Sequence, residues 1–150
     1  VGSTLAREAD AVLFTQAGPE ICVASTKAYT SQLLALQLLG IHLAQLRCTL
    51  PAAEEQEMVR ALQALPEQAA EVLAKASEME ALSHAFADCH DFFFLGRGVD
   101  YAVAQEGALK LKEISYRHSE ALAAGEMKHG TLALVTPQVS AVVLATQPRP

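Results

Sequence analysis

The sequence predicts an α/β protein, a parallel sheet flanked by helices. Three observations predict it. Asp91–Leu95 (DFFFL) is an apolar run of strand length, followed at once by Gly96-Arg97-Gly98 and then by a helical pattern. Strand, glycine turn and helix in that order open a parallel α/β unit. A second strand-like run, Val139–Thr146 (VSAVVLAT), closes the same stretch. Residues 91–146 therefore read as strand, helix, helix, strand, which fits a doubly wound unit. Finally, 150 residues that are 51% hydrophobic and only 19% charged are enough for a packed core and too apolar for disorder.

Taken in order, the elements are these. Asp10–Thr15 (DAVLFT) is a short apolar run before the turn pair Gly18-Pro19, so strand then loop is expected. A long helical pattern runs from about Ser25 to Arg47, with Ser25 or Thr26 as its cap. Gln37, His42 and Gln45 interrupt its most apolar part, Leu33–Leu46, which reads as a buried helix too short to span a membrane. Pro51 restarts the chain with an acidic helical stretch to about Ala64, and Pro66 is read as the start of a further helix. In that helix Ala69, Val72, Leu73, Ala76, Met79, Leu82 and Phe86 recur at three- and four-residue spacing, an amphipathic stripe whose expected role is packing. Asp100 is the expected cap of the helix after the glycine turn.

Charge and cysteine usage exclude several classes. The net charge is −6, from 11 basic and 17 acidic residues, with no basic patch, so no nucleic-acid partner is expected. Cys22, Cys48 and Cys89 are widely spaced with no CxxC, which reads as reduced thiols in a cytoplasmic protein. His118 and His129 lack metal-ligand spacing, so no metal is expected, and no cofactor is called for. The chain opens on VGSTLARE, without a signal peptide, and stops at QPRP just after a strand. It reads as an apparently truncated piece of something longer.

The acids and bases concentrate between Glu106 and Gly130. Glu106, Lys110 and Glu113 fall at i, i+4 and i+7, on one helical face. Most such stripes are solvated ion pairs. Here Gly107, Ala108, Leu109, Leu111 and Ile114 make the surroundings apolar, and a glutamate beside a lysine in a half-buried site can be tuned to carry a proton. GEMKHG, Gly125–Gly130, places His129 on a glycine-bracketed loop, where a turn with solvated charges and a proton-moving histidine both remain open readings. Ser25, Thr26, Thr30 and Ser31 surround a helix start, suited either to ordinary capping or to a polar floor for a sugar or phosphate.

Three strings together carry a resemblance: AGPEICVASTKAYTSQL, FLGRGVDYAVAQEGALKLKEISY and HSEALAAGEMKHGTLAL. In this order they resemble the isomerase half of the glutamine–fructose-6-phosphate aminotransferases, also called glucosamine-6-phosphate synthases. The resemblance implies a pair of sugar-isomerase (SIS) domains, each a parallel sheet between helices. Residues 1–50 would be the C-terminal part of the first and 51–150 the N-terminal part of the second. It implies conversion of fructose 6-phosphate and glutamine-derived ammonia to glucosamine 6-phosphate, in a homodimer whose ammonia comes from a glutaminase domain. It further implies that Glu113 is the proton-transfer base between C1 and C2, that Lys110 stabilises the enolamine-like intermediate, and that His129 helps open the sugar ring in the neighbouring subunit's site. Val23 and Ser25 match positions that contact the sugar phosphate.

The family's glutaminase cysteine, its Ser/Thr-rich phosphate loop and its Schiff-base lysine have no counterpart here, and Thr131 stands where many relatives have proline. The isolated chain is accordingly expected to be inactive. Two other readings stand beside this one. One is another SIS-domain sugar-phosphate isomerase or deaminase. The other is a non-catalytic sugar-phosphate-binding module, which would not need a Glu–Lys pair and a loop histidine.

Overall fold

The computed structural model describes residues 2–147, which form two compact units divided between Ala74 and Lys75. The first unit is helical. A short α1, Thr4–Glu8, starts at Ser3, whose Oγ accepts from the Ala6 amide at 3.2 Å. Residues 11–21 carry no regular element, so the strand expected at Asp10–Thr15 is not formed: no second strand pairs with it among the described residues. An apolar run becomes a strand only when its backbone groups find a ladder.

α2, Lys27–Leu46, is the predicted long helix. Neither Ser25 nor Thr26 caps it through a side chain. Glu20 does so instead, its Oε1 accepting from the amides of Thr26 at 3.0 Å and Ala28 at 2.9 Å. A carboxylate suits that position because it meets the positive end of the helix dipole as well as its free N–H groups. Ile41 is buried, but Leu36 and Leu46 stay 64% and 69% exposed, so α2 is not the buried helix its composition suggests.

α3, Ala52–Leu73, runs straight through Pro66, which therefore does not begin a helix. Proline removes one amide and crowds the preceding turn, a cost the rest of a 22-residue helix carries here. The break comes later, and α4 spans Ala76–Ala85. The amphipathic stripe thus lies on two helices. Val72, Leu73, Met79, Leu82 and Phe86 along it are all exposed, so the expected packing is not made among the described residues.

The second unit holds the sheet. β1 (Asp91–Gly96) lies between β2 (His118–Ala123) and β3 (Val139–Val143), in the order β2-β1-β3, with both pairings parallel. Asp91 pairs with His118 on one side and Val139 on the other. β2 replaces the second helix expected here; Ala, Glu and Leu are good helix formers, and pairing along all of β1 overrides that preference. β3 is also shorter than its apolar run, ending at Val143.

α5, Val99–Ser115, crosses from β1 to β2. Its Ala104 and Ala108 are buried, as are Phe93 and Leu95 of β1, whose side chains alternate to the opposite face of the strand from Phe94. Gly107 brings the helix down onto the Phe94 ring, where a Cβ would already sit 3.0 Å from Cε1. Ser119, buried in β2, donates its Oγ hydrogen bond to the Ala108 carbonyl at 2.6 Å and ties the helix to the sheet.

Candidate active site

α5 places the candidate chemistry. Ala104, Gly107 and Ala108 form its sheet-facing row. At about 100° per residue, Glu106, Lys110 and Glu113 fall on the opposite half. The three side chains are nevertheless only 20–23% exposed. Lys110 Nζ lies 2.6 Å from Glu113 Oε2 and 3.4 Å from Glu106 Oε1, so one ammonium sits between two carboxylates. The Glu113 hydrogen bond, together with the charges of Glu113 and Glu106, holds Lys110 above the ordinary lysine range against the opposing pull of partial burial. Lys110 is therefore a fixed cation at neutral pH. It can neutralise an anionic oxygen, and it is a poor amine nucleophile.

The other expected residues are placed differently. His129 closes a single 3-10 turn, Met127–His129, after β2; its amide donates to the Glu126 carbonyl at 2.9 Å. The side chain is exposed, and no hydrogen bond or ion pair joins it to Lys110 or Glu113. Val23 and Ser25 belong to the first unit, in the bend leading into α2. Val23 is 85% exposed and Ser25 half-buried. The structure thus brings together Glu106, Lys110 and Glu113; His129 lies on a separate turn, and Val23 and Ser25 share the bend before α2 in the first unit.

Asp100 has a role that was not legible in the sequence. The residue that caps α5 is Gly98, with φ of 55°, and Asp100 is the second residue of the first turn, buried. Its carboxylate accepts from the Thr146 hydroxyl at 2.5 Å, the Thr146 amide at 2.9 Å and the Gln147 amide at 3.4 Å. It thereby clamps the chain leaving β3 to the first turn of α5. Those bonds, the Thr146 hydroxyl first, hold the carboxyl below its ordinary value. This clamp lies at the carboxyl ends of β1 and β3, where strand order reverses and α/β sheets commonly bind ligands. Here the carboxylate fills the end of the helix where an anion would otherwise bind.

A pH test follows from this clamp. A carboxyl whose folded value is lowered adds stability above its unfolded value and loses that contribution as pH falls through the folded value. Asp100→Asn should unfold at lower temperature than the wild type at pH 7. The gap should begin to close below pH 3.8, the ordinary value of this carboxyl. Thermal unfolding at a series of pH values checks this, and a gap independent of pH would remove the charge from the explanation.

A cavity of about 470 Å³ opens on another face of α5, lined by Gln105, Leu109, Lys112, His118 and Glu120 among others. It does not include the Glu–Lys–Glu group. Among the described residues no group of three His, Cys, Asp or Glu side chains could hold a metal ion. Cys22, Cys48 and Cys89 are free thiols. No described helix is long and apolar enough to cross a membrane.

A parallel sheet in the order β2-β1-β3, with α5 crossing between β1 and β2, is the frame of a sugar-isomerase domain. The chain belongs to the SIS-domain family, whose model matches residues 1–42 and 85–149. Within that family it is similar to proteins named glutamine–fructose-6-phosphate aminotransferase (isomerizing). It is 56% identical to the one from Symbiobacterium thermophilum over 148 residues, which are 99% of this chain and 24% of the relative. It is 54% identical to the one from Pseudomonas putida over 143 residues, 95% of this chain and 23% of the relative. The C-terminal domain of glucosamine-fructose-6-phosphate aminotransferase from Francisella tularensis superposes with a TM-score of 0.91 at 43% identity, covering 95% of this chain and 40% of that one. The chain thus spans about a quarter of the length of the curated relatives it matches.

Proposed function

We propose that this chain supplies part of the isomerase site of a glutamine–fructose-6-phosphate aminotransferase, which makes glucosamine 6-phosphate from fructose 6-phosphate and glutamine-derived ammonia. The observation that carries the reading is the half-buried pair on α5, Lys110 Nζ at 2.6 Å from Glu113 Oε2, in a chain 56% identical to a relative of that name. In this reading Glu113 takes a proton from C1 of the sugar and returns it at C2, and the Lys110 ammonium balances the negative charge that develops on the neighbouring oxygen. His129 assists ring opening from the neighbouring subunit of a homodimer, and Val23 and Ser25 contact the sugar phosphate. The chain holds the end of one SIS domain and the start of a second; the two separate matched stretches support that division. The reading includes a glutaminase domain elsewhere in the protein and a cytoplasmic setting.

The placement of the pair on the half of α5 away from its own sheet supports a site finished by other segments, so we propose that the 150 residues alone are inactive. The full-length protein should form glucosamine 6-phosphate from fructose 6-phosphate and glutamine, while the 150-residue chain should form none with glutamine or with ammonia. Sugar-phosphate interconversion by the full-length protein without nitrogen incorporation would favour a plain isomerase or deaminase. Binding without turnover would favour a sensor module.

A further inference from the structure

The Glu113–Lys110 contact poses a difficulty for a base. At 2.6 Å the ammonium occupies a lone pair of one oxygen, Oε2, of the carboxylate that must take a proton. Glu106 offers a way out. Its Oε1 stands 3.4 Å from the same Nζ, on the opposite side of Lys110 along the helix, one turn toward the N-terminus, and it is as well sheltered as Glu113. A small swing of the Lys110 side chain moves its short contact from one carboxylate to the other. Both positions keep the ammonium paired, so it does not lose its proton in passing. No other ion pair or side-chain hydrogen bond of Glu106 competes for it among the described residues.

Resting on the proton-transfer role given to Glu113 above, we propose that Glu106 is a positioning residue. It receives the Lys110 ammonium when the sugar enters, which frees the Glu113 oxygen to face the substrate carbon and leaves the cation beside the substrate oxygen. No covalent bond changes in this step; one charge-assisted hydrogen bond replaces another. Removing Glu106 leaves Lys110 with a single partner and locks it onto Glu113.

The test uses the full-length protein and its steady-state kinetics with fructose 6-phosphate. Glu106→Gln, which keeps the shape and removes the charge, should lower kcat about tenfold or more with KM changed less than about twofold, because only the proton-transfer step loses its free base. Glu106→Asp, which restores the charge on a shorter arm, should recover part of that kcat. A structural role alone would not distinguish the charged from the neutral variant. If Glu106→Gln keeps wild-type kcat while Glu113→Gln is inactive, the hand-over is wrong and the base assignment survives. If Glu113→Gln is itself active, the underlying reading has failed. Loss of kcat in both Glu106 variants with no recovery by aspartate also overturns the proposal.

Discussion

Replacing Glu113 by glutamine in the full-length protein is expected to leave sugar-phosphate binding intact and to lower turnover by about 10²-fold or more. Glutamine fills the same volume and still accepts a hydrogen bond from Lys110 through its amide oxygen, so the half-buried contact on α5 is kept. What it lacks is the lone-pair basicity that takes a proton from carbon. The experiment pairs an equilibrium binding measurement with a turnover assay, and near-normal turnover would sink the assignment. The same variant tests the sharing of His129. Its exposed position on a 3-10 turn, with no bond to the Lys110–Glu113 pair of its own chain, suits a residue that reaches a neighbour's site. Mixed dimers of Glu113→Gln and His129→Ala subunits should regain part of the activity each lacks alone, since one of their two sites would hold both intact groups. Absence of recovery after verified subunit exchange would place His129 in its own subunit's site or in none.

Adding a single methyl group at Gly96 is expected to cost about 1–3 kcal/mol of stability or more. Gly96 ends β1, and its carbonyl accepts from the Ala124 amide at 2.9 Å. A Cβ there would collide with the carbonyl carbon and oxygen of Asp100, and would lie 2.5 Å from the Tyr101 amide nitrogen. These are backbone atoms of the first turn of α5. They cannot rotate aside as a side-chain tip does, so the helix start must move away from the strand. The Asp100 clamp on Thr146 would move with it. Gly125→Ala is the control, because nothing lies within 4 Å of a Cβ at that position. It should change stability by less than about 0.5 kcal/mol. Urea unfolding of the two variants beside the wild type decides the matter, and a Gly96→Ala protein as stable as its parent would show that the turn has room that the structure does not have.

Much of the fold was legible because it depends on local pattern. β1 reads directly from DFFFL before a glycine turn, and α2 and α5 read from their periodicity. Helical spacing alone put Glu106, Lys110 and Glu113 on one face, and the structure finds them in contact. The three quoted strings pointed to the family to which the chain belongs. What sequence could not decide were the features whose partners lie far along the chain. HSEALA has the composition of a helix and became β2 because six residues of β1 offered it a parallel ladder. DAVLFT has the composition of a strand and formed none, because no ladder met it among the described residues. Pro66 has the look of a helix start and lies within α3, since a long helix can absorb one missing hydrogen bond. Asp100 had the position of a cap, and its bonds went instead to Thr146 and Gln147, brought beside it only when β3 aligned with β1. Local spacing settles which side chains share a face of one element. Which backbone groups and carboxylates meet across dozens of residues is settled by the sheet, where pairing energy gathered over a whole strand outweighs the small preference of each residue.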